Sequence, residues 1–156
     1  MIKSLEETLA YKNKFAIDRF KQTRPDAAEE ADLIFDDLKR FLWLVATQEE
    51  RKAKGEEVPD LSFAQSMLVL DDMWHAFILC TNFYTEFCNE YFGNYIHHPT
   101  DMPKYIKNTK TDGMEEEEAM SIFLTEMITR VIEEFGEEIA ERWFDYYAKY
   151  PFSGMH

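Results

Sequence analysis

Within an otherwise apolar run, Leu70-Asp71-Asp72-Met73-Trp74-His75 carries two carboxylates and an imidazole. A polar group buried there without partners costs about 1–3 kcal/mol or more, so each needs a reason to be present. Asp71 and His75 are four apart and share one helix face, and Asp72 stands three before His75. An aspartate beside a histidine fixes its tautomer, raises its basicity, or joins it in holding a metal. Cys88 follows, and then the adjacent pair His97 and His98. Zinc accepts imidazole, thiolate and carboxylate together, commonly four ligands in a tetrahedron. The expected site is therefore His75 and Cys88 as ligands, one of His97 and His98 as a third, and Asp71 as a ligand or the group that orients one. No paired-cysteine knuckle and no His-Glu-x-x-His helix is present, so the fold has to collect these groups from scattered positions.

Two other readings suit the same residues. His75 can be a core histidine hydrogen-bonded to Asp71 or Asp72 with no metal, or Cys88 can form a thiolate pair with a histidine and act as a nucleophile. No third orienting residue or oxyanion hole marks the latter, and Cys80 reads as core filling. No glycine-rich phosphate loop occurs, so no nucleotide or organic cofactor is indicated.

The elements that position these groups are helices. Helical periodicity runs through the chain and strand alternation never lasts more than a few residues, which predicts an all-α fold. The expectation is one compact domain over residues 1–156, a bundle of five to six helices with a long loop near 94–111. Ser4 and Glu7 form a capping-box pattern that opens a first helix reaching Thr23. Asp26 and Glu29 repeat the signal before a second, in which Ile34, Leu38, Phe41 and Val45 mark the apolar stripe and Asp36, Asp37, Lys39 and Arg40 lie away from its centre. Gly55 to Asp60 reads as an exposed loop. Ser62 and Gln65 cap a third helix that is apolar nearly all round and belongs at the centre. Thr81-Asn82 either continues or restarts it, and Gly93 closes it. Asp112 and Glu115 open a helix buried along Met120, Phe123, Leu124, Met127, Val131 and Phe135, ending at Gly136. Ile139, Ala140, Trp143, Tyr147 and Tyr150 form the last, stopped by Pro151.

Charge narrows the function classes. The chain has 31 acidic against 17 basic residues, a net charge of −14. Such a surface repels phosphate backbones and anionic lipid, so direct nucleic-acid or membrane binding is disfavoured; the acidity either only keeps the domain soluble or suits a cation or a basic protein surface. Lys104, Lys107 and Lys110 read as ordinary surface charge. The alternative to a metal site is an acidic interaction module or inhibitor that covers a basic surface of its target, offering exposed aromatics at Tyr146, Tyr147, Tyr150 and Phe152. No signal-peptide core or membrane span is apparent, and Cys80 and Cys88 read as free thiols, so a cytoplasmic setting is expected.

The central third resembles the glycine-rich-domain-containing-protein-like family, in particular its short bacterial members. The residues that carry the likeness are Leu70 to Leu79, then Thr81, Tyr84, Phe87-Cys88, Phe92-Gly93 and Ile96-His97-His98-Pro99, with a looser echo at Phe135-Gly136 and Trp143. The resemblance covers about residues 60 to 100. It implies a small helical domain whose polar set is Asp71, His75, Cys88 and His97 or His98, and it supplies no activity.

Overall fold

Ser4 accepts a hydrogen bond from the Glu7 amide while the Glu7 carboxylate takes the Ser4 amide, and this capping box starts α1 (Leu5–Ala10). The computed structural model describes residues 1–59, 61–99 and 115–151. The predicted first helix is two: the chain turns at Tyr11, and Asn13 caps α2 (Lys14–Thr23) by accepting from the amides of Phe15 and Ala16. A side chain that satisfies two orphan amides outcompetes continuation of the helix. Asp26 does not cap the next helix. It binds the Arg24 guanidinium at 2.9 and 3.0 Å, and the chain passes through a 3-10 turn (Pro25–Glu30) before α3 (Ala31–Ala53).

α4 (Leu68–Leu79) is entered through a second 3-10 turn (Gln65–Met67) without a side-chain cap, so the expected Ser62 and Gln65 signal is not used. The helix stops at Cys80 and α5 (Thr81–Phe92) restarts at once. Gly93 ends α5 with φ +73°, the left-handed conformation a C-cap requires, and a Cβ there would meet the Met1 backbone nitrogen at 3.2 Å. α6 (Glu116–Phe135) and α7 (Glu137–Phe144) meet at Gly136, and a 3-10 turn (Tyr146–Lys149) follows. Seven α-helices and no strand occur among the described residues, an all-α fold. No helix among them is long and apolar enough to cross a membrane. Asp60, residues 100–111 of the expected loop with Lys104, Lys107 and Lys110, the Asp112 cap and Phe152 lie outside the described residues.

The core forms around α4, which packs against α2, α3 and α5. Val69, Leu70, Met73, Trp74, Ala76 and Phe77 of α4 are buried, as its all-round apolar sequence predicts. α3 departs from its expected amphipathic pattern. Asp37 and Lys39 are fully buried, because each is neutralised by groups from distant parts of the chain. Lys39 Nζ donates to the carbonyls of Leu9 (2.8 Å) and Tyr11 (2.6 Å) and pairs with Asp36 at 3.0 Å. Burial pushes its ammonium below the usual lysine range, and Asp36 opposes that shift. Asp37 accepts from Arg40 (2.6 Å), from Arg142 at 2.7 and 2.8 Å, and from the Tyr147 hydroxyl. Of the C-terminal tyrosines expected to be exposed, Tyr146 is exposed, Tyr150 is half-buried and Tyr147 is internal, and all three are tied to acidic side chains. Tyr147 is fully buried, and the Tyr146 and Tyr150 hydroxyls donate to Glu30.

Removing one partner of a buried ionic network strands the others. Asp37→Ala is expected to lower unfolding stability by about 3 kcal/mol or more, and Asp37→Asn, which keeps the shape and part of the hydrogen bonding, by less. Urea denaturation followed by circular dichroism reads both; equal stability of Asp37→Ala and wild type would contradict the role given to this carboxylate.

Candidate metal centre

Asp71 sits in the first turn of α4 and His75 one turn later, so both side chains rise from the same face. A third polar group reaches them from the segment after α5. The Tyr84 hydroxyl, buried between α4 and that segment, accepts from the Trp74 indole N–H at 2.9 Å and donates to the Ile96 carbonyl at 2.5 Å. Ile96 is thereby sunk into the core, His97 points outward against Tyr95 with ring centroids 4.6 Å apart, and His98 returns over Trp74 at 4.5 Å. The choice left open by two adjacent histidines is decided by the apolar residue before them: Ile96 in, His97 out, His98 in.

The three ligand atoms form a small triangle. His98 Nε2 lies 2.5 Å from Asp71 Oδ1 and 3.0 Å from His75 Nε2, and His75 Nε2 lies 3.8 Å from Asp71 Oδ1. A tetrahedral ion with bonds of about 2.0–2.1 Å spaces its ligand atoms about 3.3 Å apart, close to the middle of these edges. The His98 Nδ1 lies 2.8 Å from the Pro99 carbonyl, which only accepts, so Nδ1 carries the proton. In neutral His98, Nε2 then presents a lone pair to a carboxylate oxygen and to a second imidazole nitrogen. Such an arrangement needs an extra proton or a cation among the three atoms. A carbonyl on the far nitrogen is also the usual way a liganding imidazole is oriented. The side chains of Asp71, His98 and His75 are 11, 22 and 31% exposed, so the triangle is largely covered by protein.

Asp72, the other carboxylate of the motif, is not among the clustered donors and pairs with Arg24 Nη1 at 2.6 Å, both side chains nearly inaccessible. Sequence reasoning missed Arg24; the signal was the unpaired charge that an apolar helix would otherwise bury at Asp72.

Cys88 and His97 do not join the set. Cys88 is fully buried, with its thiol against the Tyr84 side chain and the Ile96 backbone, the two groups that fix the returning segment. It holds the structure that delivers His98 and is not among the clustered donors Asp71, His75 and His98. Burial pushes the thiol up from its ordinary 9.0, the reverse of what a nucleophilic pair with histidine requires. Cys80 is half-buried, and both cysteines are free thiols.

Burial also pushes the Tyr84 and Tyr147 hydroxyls above their ordinary 10.0. With Cys88, these groups keep protons in the folded chain at a pH where the unfolded chain releases them, so stability present below the ordinary thiol range is lost as pH rises through it. The urea midpoint is expected to fall steadily from about pH 8.5 to about pH 10.5, and less steeply in Cys88→Ala. A midpoint that holds level across that range would refute the assigned burial.

Comparison with curated proteins and with solved structures yields no match. A family model, described as UCP032817-like, matches residues 5–117, a stretch that includes α1 to α5 and all three clustered donors. The chain therefore belongs to the UCP032817-like family, and that match corrects the likeness of its central motif to the glycine-rich-domain-containing-protein-like family.

Proposed function

We propose that this protein is a metal-binding helical domain in which Asp71, His75 and His98 hold one divalent cation, zinc being the ion that two imidazoles and a carboxylate suit. The observation that carries the reading is the convergence of Asp71 Oδ1, His75 Nε2 and His98 Nε2 within 4.8 Å of one another, with the outer nitrogen of His98 already committed to a carbonyl. Among the described residues three side chains supply donors, one fewer than the four ligands a tetrahedral ion takes. When bound, the ion supplies a Lewis acid. The residues' own part is to orient: the Pro99 carbonyl sets the His98 tautomer, and the Trp74 ring supports the imidazole from below. A cytoplasmic setting belongs to the same reading, supported by two cysteines that stay unpaired.

Metal analysis of protein purified without a histidine tag tests it. About one zinc per chain is expected, with affinity lowered at least about 100-fold in His75→Ala and His98→Ala. Cobalt-substituted protein should lack the near-ultraviolet thiolate band, because no sulfur is in the proposed set. Substoichiometric metal that is indifferent to both histidine substitutions, or a thiolate band abolished by Cys88→Ser, defeats the proposal.

A further inference from the structure

His75 has a second neighbourhood. On the α2 side of α4 lies a cavity of about 180 Å³, walled by Arg19 and Arg24 from α2 and its C-cap and by Asp72, His75, Ala76 and Leu79 from α4. It is smaller than the roughly 300–1,000 Å³ of pockets that take drug-sized ligands, so its occupant is small. The two arginines differ. Arg24 spends Nε and Nη2 on Asp26 and Nη1 on Asp72, whereas the exposed Arg19 makes no ion pair among the described residues. Arg19 is thus the cavity's available cation, a planar fork suited to a carboxylate. Facing it are the methyl surface of Ala76 and the Leu79 side chain, which is 59% exposed at the end of α4.

Electrostatics couples this cavity to the metal position. Among the described residues, the charged groups lining the cavity and the triangle are the carboxylates of Asp71 and Asp72 against the guanidinium groups of Arg19 and Arg24. These charges balance and offer an anion no net attraction. A divalent ion at Asp71, His75 and His98 makes the balance positive.

We propose that the cavity seats a small carboxylate with a short aliphatic body. Its charged head lies between Arg19 and the metal at His75, and its alkyl part rests on Ala76 and Leu79. The inference rests on the metal reading above, because only the ion turns the local charge positive. Butyrate is a suitable probe, titrated calorimetrically into the zinc-loaded full chain. Binding in the millimolar range is expected, weakened about tenfold by Arg19→Gln, as loss of one charge-assisted pair predicts. Lys21→Gln removes the same charge from an exposed position on α2 that does not line the cavity, and should leave affinity unchanged. Zinc-free protein should not bind butyrate, and inorganic phosphate should bind the loaded protein more weakly than butyrate does. Stoichiometric zinc with no butyrate binding, or equal effects of Arg19→Gln and Lys21→Gln, overturns the carboxylate seat and leaves the metal centre standing. Phosphate binding as tightly as butyrate overturns the aliphatic body. Failure to hold zinc removes the metal reading and this inference with it, and equal butyrate binding without zinc overturns the coupling between them.

Discussion

The Tyr84 hydroxyl is the joint on which the candidate site depends. A buried hydroxyl has to be satisfied both as donor and as acceptor, and here the two partners are the Trp74 indole on α4 and the Ile96 carbonyl in the segment beyond α5. One atom thus sets the distance between the helix that carries Asp71 and His75 and the strap that carries His98. The rings of Phe77 and Tyr95 stand edge-on to Tyr84 at 5.0 and 5.2 Å and leave it little freedom to swing. Cys88 completes the arrangement by lying against both Tyr84 and the Ile96 backbone, a role for which a small, weakly polar side chain suffices.

α3 frames this joint through two charges that point to opposite parts of the molecule. Lys39 takes up carbonyls at the end of α1, groups that a helix terminus leaves without partners, and so closes the N-terminal segment onto the bundle. Asp37 does the same for the C-terminal end by gathering Arg142 and Tyr147. Buried ions of this kind add little net stability against an apolar alternative, but they admit one arrangement of the elements that supply their partners. The same logic holds α2 against α4 through Arg24 and Asp72.

The helical class, the central position of α4, the Gly93 cap and the Asp71–His75 pairing were legible because each rests on local periodicity or spacing. The end of the first helix was not, since Asn13 competes with the helix through its side chain and periodicity alone is blind to that. Asp37 and Lys39 lie away from the centre of the apolar stripe, and their burial was not legible because their partners, Arg142, Tyr147 and the carbonyls of Leu9 and Tyr11, are remote in sequence. Cys88 attracted notice as a sulfur donor among histidines, and its actual surroundings depend on where Ile96 lands, a tertiary fact. His98 over His97 was decipherable in principle: an isoleucine two residues earlier is the kind of side chain that goes inward and takes every second residue with it.

His75 and His98 are 23 residues apart, one on a helix and the other on an irregular segment. A cation shared between them would act as a cross-link, closing a loop that the unfolded chain leaves open. Loops of this size, when closed covalently, remove roughly 3 kcal/mol of conformational entropy from the unfolded state. Were an ion bound in this way, the docking of the 94–99 segment would depend on ion supply, so that occupancy and the closure of this stretch of chain would rise and fall together.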